Sequence, residues 1–383
     1  MDTEAVLARP NPDASRAEVL DQFRHQVYGA APVDGWELSW DLLSEHRTDT
    51  GLLRRQWALI ISTDRGRHCC LVMADLPPGR ESVPAFLALN FRGNHAVTAD
   101  PQVLDPQREA DRCGPIHYDG LREGITVPVP IGIEAHRWPA ELITARGYAA
   151  ITACYLQSGP DSAEVFSHGI HPLFASSTLD TRGPGEWGAI SIWAWLLSRI
   201  LDALEGGMID GVDAGRVAVV GHSRLGKTAL WAAAQDQRFA AAISNDSGCM
   251  GAALSRPVGE TPEVLARIRP YWFAPRFSRT VLAGEPLPVD QWQLLAAIAP
   301  RPVHVGSASD DANADPAGEL GSLLAAAPAW GAAAEEAADV PLPQADTVRW
   351  WRTTPLAYHL RRGGHNLMPW DWIQYLSFAD RWL

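Results

Sequence analysis

RVAVVGHSRLGKTALW, residues 216–231, is the stretch whose reading decides the fold class. Arg216–Val220 is apolar and β-branched and reads as a strand, while Thr228–Gln235 reads as a helix. Gly221, His222 and Ser223 lie at the junction. A glycine at 221 lets the chain turn sharply, which exposes the Ser223 hydroxyl above a sheet, beside the first amides of a helix. The usual form of such an elbow has glycine two residues after the serine. Here Arg224 and Leu225 follow, and the glycine comes at 226. A tight strand-to-helix turn with an incidental serine is the competing reading.

Working outward, strand and helix patterns alternate. Trp57–Ser62 and His68–Met73 read as an antiparallel hairpin across the turn Thr63–Gly66, and Ala85–Phe91 as another strand. Ala140–Arg146 and Gly188–Glu205 read as helices, and Tyr148–Tyr155, Ala240–Ser244, Pro302–Gly306 and Leu356–Arg361 as strands. Trp372–Leu383 closes the chain as a helix. The alternation predicts an α/β fold, with a mostly parallel central sheet flanked by helices in a three-layer sandwich. Residues 1–383 read as a single domain, with a loose lead-in at 1–15, a long loop over 98–130 and a surface insertion at 325–346. Ser223, Asp246, Asp310, Asp311 and His365 each follow a predicted strand, so one edge of the sheet collects them.

A serine hydroxyl needs a base to take its proton. His365 follows the last strand and two glycines, Gly363 and Gly364, that leave its loop free to bring the imidazole over the serine. The order Ser…Asp…His is that of the α/β-hydrolases. His95 is the second choice, and His222 is too near its neighbour. His168 and His171 resemble a metal pair but lack a third ligand at suitable spacing, so no metal and no cofactor is expected. For the acid that orients the imidazole, Asp311 (or Asp310) and Asp246 stand level on spacing. The Arg224 amide and guanidinium are placed to stabilise an oxyanion.

Of 32 basic residues only Lys227 is a lysine, so a close-fitting polar site is expected at that ammonium. It lies about 6 Å of helical rise beyond Ser223, on nearly the same face; a solvated helix face is the alternative. The net charge of −13 argues against nucleic acid as partner. No run is long and apolar enough for a membrane helix, and no apolar leader segment follows Met1. The compartment expected for the chain as it stands is therefore cytoplasmic, or outside the cell if a leader was trimmed. Five cysteines without a CxxC pair suggest reduced thiols. The sequence leaves the oligomeric state open.

GHSRLGKTALWAAAQDQRFAAAISNDSGCMGAALSR, residues 221–256, resembles the glucuronoyl esterases, especially the bacterial ones. LNFRGNH (89–95), GYAAITACY (147–155), GET (259–261), SASDDANADPAGE (307–319) and GGHNLMPWDW (363–372) extend the resemblance along most of the chain. It implies an α/β-hydrolase that cleaves esters at the 6-carboxyl of 4-O-methyl-glucuronate, which in plant walls link xylan to lignin alcohols. It also implies Ser223 as nucleophile, His365 as base and Arg224 as oxyanion aid. Asp246 matches the position of the acid in many members, and Asp311 its position in some bacterial ones. Lys227 and Glu260 match residues that bind the uronate hydroxyls. Asn313 stands where a tryptophan is common, and His222 where a cysteine is. An esterase for acetyl-xylan or another small carbohydrate ester is the alternative within the same machinery. A non-catalytic sugar binder, stacking on some of the 16 tryptophans, is the reading outside it.

Overall fold

The computed structural model describes residues 10–79, 82–106, 109, 128–332 and 341–383. The chain divides into two compact units, one of residues 31–182 and 195–218, the other of residues 1–30, 183–194 and 219–383.

In the first unit the strands are β1 (Glu37–Arg47), β2 (Leu53–Thr63), β3 (Gly66–Leu76), β4 (Val83–Asn90), β5 (Ala149–Cys154) and the start of β6 (Val212–His222). Their spatial order is β1-β2-β3-β5-β4-β6. The predicted hairpin is β2–β3, with Thr63 opposite Gly66, so only Asp64 and Arg65 form the loop. β3 runs antiparallel to β5 and β4 parallel to it. Every residue of β5 is buried, the pattern of a strand covered on both faces. β1 was not foreseen; its alternation of exposed and half-buried residues carries too little apolar signal.

In the second unit β6 ends and is followed by β7 (Ala241–Asn245), β8 (Val303–Ala308), β9 (Thr347–Trp350) and β10 (Leu356–Arg361). The order here is β6-β7-β8-β10-β9, with β7, β8 and β10 mutually parallel and β9 antiparallel at the edge. β7, β8 and β10 are buried throughout. The observed α/β architecture is that expected, with antiparallel β1, β2 and β3 in the first unit and antiparallel β9 in the second. Two parts of the lead-in and the proposed insertion, residues 1–9 and 333–340, lie outside the described residues, as does most of the 98–130 loop. Within the described part Ser15 caps the helix Arg16–Gln22. Ala326 and Ala327, read as the start of a surface insertion, are buried, because the helix Pro316–Ala326 packs its apolar side inward.

One expectation fails on the thiols. Cys69 is disulfide-bonded, whereas Cys70, Cys154 and Cys249 are free and buried. Cysteine spacing alone says nothing about which residues the fold brings together. Among the described residues no helix is long and apolar enough to cross a membrane.

The helix Arg224–Gln235 carries the elbow and is anchored by Trp231. That indole is fully buried, 4.9 Å from the Tyr28 ring, and its Nε1 donates to Ser191 Oγ at 2.8 Å. Replacing Trp231 by alanine removes the packing and leaves a cavity, so the unfolding free energy in a urea titration is expected to fall by about 3–5 kcal/mol.

Candidate active site

The strand-to-helix junction turns on two backbone facts. Ser223 adopts φ 59° and ψ −129°, a left-handed φ uncommon for a residue with a side chain. A Cβ on Gly221 would lie 1.9 Å from the Leu225 carbonyl oxygen, so only glycine fits the approach. Gly226 does the work expected of the earlier glycine. A Cβ there would lie 2.8 Å from the Ser247 Cβ, so its absence lets the helix pack on the segment after β7.

Ser223 Oγ lies 2.9 Å from His365 Nε2, and His365 Nδ1 lies 2.5 Å from Asp311 Oδ2. The imidazole is 45% exposed and the Asp311 carboxyl 5%. The second oxygen of Asp311, Oδ1, accepts the Ala314 amide at 3.3 Å. Asp310 is exposed and bonds Ser309 Oγ. Asp246 follows β7 at φ 45°, is buried, and both its carboxyl oxygens lack a hydrogen-bond partner. Ligand-type atoms of Asp246, Asp311 and His365 nonetheless lie within 4.8 Å of one another. Burial, then the neighbouring Glu319, Asp311 and Asp371 carboxyls, hold the Asp246 carboxyl well above the usual range, against the opposing Arg361 charge.

The other candidates are placed as follows. His222 bonds Asn245 Oδ1 through Nδ1 at 2.7 Å, and its ring lies 4.6 Å from that of His365. His95 is buried in the other unit. His171 is also buried and bonds the Phe166 carbonyl, while His168 is exposed. The Arg224 guanidinium lies over the Trp272 ring, 5.3 Å from its centre. Lys227 is no solvated residue: it is 3% exposed, and its Nζ donates to the Ser247 carbonyl and, at 2.6 Å, to that of Cys249. Glu260 Oε2 stands 3.7 Å away and is partly open to solvent. Gly259 (φ 65°) makes this possible, because a Cβ there would lie 2.6 Å from the Ala312 and Asn313 carbonyl oxygens. The Glu260 amide then bonds the Asn313 carbonyl at 3.0 Å.

Three residues around the site escaped the sequence reading. Trp272, after β7, gave no signal beyond its apolar type. Arg361 closes β10, and Glu319 is the last residue of the quoted SASDDANADPAGE segment. Glu319 is fully buried and accepts the Ser247 and Gly248 amides at 2.8 and 2.9 Å and Ser307 Oγ at 2.6 Å. Chemically, the group is a hydroxyl with a base at hydrogen-bond distance, an acid behind that base, and a cationic side chain beside the helix start.

A family model described as "Glucuronyl esterase, fungi" matches residues 124–334. The chain is 34% identical over 99% of its length, and 86% of the other's, to carbohydrate esterase MZ0003 from an unknown prokaryotic organism. It is 36% identical over 36% of its length, and 32% of the other's, to 4-O-methyl-glucuronoyl methylesterase 1 of Sodiomyces alcalophilus. Among solved structures, a glucuronoyl esterase from Solibacter usitatus matches with a TM-score of 0.82 and 33% identity, covering 99% of this chain and 97% of that one. A promiscuous CE15 esterase from a marine bacterial metagenome matches with a TM-score of 0.79 and 30% identity, covering 100% and 97%.

Burial raises the Glu319 carboxyl to about 7 from its ordinary 4.5. The folded state therefore binds a proton that the unfolded state has released, and stability falls as pH rises from about 4.5 to 7. Glu319→Gln removes this contribution. In denaturant titrations at pH 4.5 and pH 7.5, the difference in unfolding free energy between variant and parent is expected to move in the variant's favour at the higher pH.

Proposed function

The chain belongs to the glucuronoyl esterase family and is a carboxylic ester hydrolase, and from that premise we propose that Ser223, His365 and Asp311 form its catalytic triad, acting on an ester of glucuronic acid. The observation that carries the assignment is the pair of contacts through one imidazole, 2.9 Å to Ser223 Oγ and 2.5 Å to Asp311 Oδ2.

Ser223 Oγ attacks the ester carbonyl carbon while its proton passes to His365 Nε2. Asp311 accepts the His365 Nδ1 proton in a hydrogen bond, fixes the tautomer and stabilises the imidazolium. The negative charge that gathers on the carbonyl oxygen faces the Arg224 side chain and the first amides of the helix, which have no acceptor within it. Collapse of the tetrahedral intermediate breaks the bond to the alcohol oxygen, and His365 gives that oxygen its proton. Water then enters, loses a proton to His365, and attacks the acyl-enzyme. The acid leaves as Ser223 recovers its hydrogen.

Asp246 is the rival for the acid. Its carboxyl is pushed toward the protonated form by burial and by three neighbouring carboxyls, which suits an imidazolium partner poorly. Glu260 is the group we assign to a sugar hydroxyl. The Lys227 ammonium behind it has spent two donors on carbonyls and turns its charge toward the Glu260 carboxylate. The substrate class is that of the similar methylesterases, a 4-O-methyl-glucuronoyl ester. Broader acceptance of small carbohydrate esters is the second reading. It is favoured by the similarity to a promiscuous CE15 esterase, and by Asn313 standing exposed in the loop after β8.

Ser223→Ala is expected to abolish hydrolysis of benzyl glucuronate without lowering the thermal midpoint; full activity in that variant would sink the assignment. Asp311→Asn is expected to cut kcat by about 10³–10⁴-fold, as loss of the correct tautomer does in other triads, and Asp246→Asn by less than about tenfold. The reverse order would move the acid to Asp246. A parallel assay on benzyl glucuronate and on an acetylated xyloside tests the substrate: faster turnover of the acetate would remove the uronate claim and keep the triad.

A further inference from the structure

We propose that Arg361 is a positioning residue for the base, holding the His365 loop from inside so that the imidazole meets both Ser223 and Asp311. The inference rests on the reading of His365 as that base.

The loop needs an external hold. Gly363 sits at φ 111°, and neither it nor Gly364 offers a side chain to pack. The imidazole is nearly half exposed, so packing does little to fix its direction. Arg361, the last residue of β10, is buried, and its guanidinium lies within the loop. Nη1 donates to the Arg362 carbonyl at 2.8 Å. Nη2 donates to the Gly364 and Asn366 carbonyls, each at 2.8 Å. Those two residues flank His365, so a single NH₂ group grips the chain on both sides of the base.

The guanidinium is itself held. Nε donates to Asp371 Oδ2 at 2.9 Å. Asp371 is buried, accepts the Met368 amide at 2.8 Å through the same oxygen, and bonds His359 Nε2 at 2.9 Å through the other. Asp246 Oδ2 lies 3.7 Å from Nη2 on the sheet side. The acid's loop is tied to the same frame, because the Ser309 amide bonds the Arg361 carbonyl at 2.8 Å and the Asp310 amide bonds that of Gly363 at 2.9 Å. A planar fork with five donors can serve one carboxylate and three carbonyls together; an ammonium with three donors cannot.

The test uses the full chain carrying Arg361→Lys or Asp371→Asn, with benzyl glucuronate as substrate. Circular dichroism and thermal melting monitor folding. The low-field proton resonance of His365 Nδ1–H, assigned by its disappearance in His365→Ala, monitors the bond to Asp311. For folded Arg361→Lys the expectation is a fall in kcat of about 10- to 100-fold, the cost of a misplaced catalytic group, with KM within about twofold. The low-field resonance should broaden or vanish. Asp371→Asn should move kcat and the resonance in the same direction by a smaller amount, and it decides the question if Arg361→Lys does not fold. Parental kcat with an intact low-field resonance, or a change confined to KM, would overturn the proposal. Activity retained in His365→Ala would instead overturn the assignment of the base, a separate failure.

Discussion

The approach of Gly221 to the Leu225 carbonyl is the constraint from which the site follows. It lets a buried strand become a helix within the space of one residue, Ser223, whose φ of 59° is the price of that turn. With the serine fixed there, groups at the carboxyl ends of the neighbouring parallel strands gather around it, and His365 reaches its hydroxyl. Asp246 follows β7, Asp311 follows β8 and His365 follows β10. A side chain on residue 221 would force the helix away from the strand, and the contact from Ser223 to His365 depends on that separation. Parallel strands with helices on their faces make the arrangement general: strand ends that carry no ladder partner are the places where loops can hold reactive groups.

Much of this was legible along the chain. The β-branched run before Gly221, the run of strands each ending in a polar residue, and the order of serine, acid and histidine needed only local patterns. β10 begins and ends at the residues expected from its apolar run, Leu356–Arg361. The choice among Asp246, Asp310 and Asp311 was not legible, because all three follow strands and spacing cannot tell which carboxyl turns inward. Direction is set by contacts distant in sequence. Asp311 bonds an imidazole 54 residues away, and Glu319 caps amides 71 and 72 residues before it. Arg361 was invisible for another reason: among 31 arginines nothing in the sequence marks those that turn into the protein, as Arg361 does. Lys227 stood out by its rarity, but the rarity did not say that its ammonium would be occupied by two backbone carbonyls.

Four carboxyl side chains are buried near the strand ends. Asp246, Asp311, Glu319 and Asp371 are all buried or nearly so. Burying a carboxylate is costly unless hydrogen bonds or an opposite charge offset it, and each residue here meets the condition differently. Asp371 is shared between Arg361 and a histidine, Glu319 is met by amides and hydroxyls, and Asp311 has the imidazole. Asp246 has only a distant guanidinium, so its proton is the cheapest remedy. Asp311 is thereby the carboxyl paired with the imidazole, whereas Asp246 is pushed toward its protonated form.

The solitary lysine has a practical consequence. A protease that cuts only after lysine has a single peptide bond to attack in the whole chain, and that bond lies in the first turns of the helix that follows Ser223. With Lys227 buried, the bond becomes accessible only when that helix opens. Cleavage would yield just two fragments, and when opening and closing are fast its rate follows the population of the opened state. The chain thus carries its own reporter of how often the helix after Ser223 comes apart.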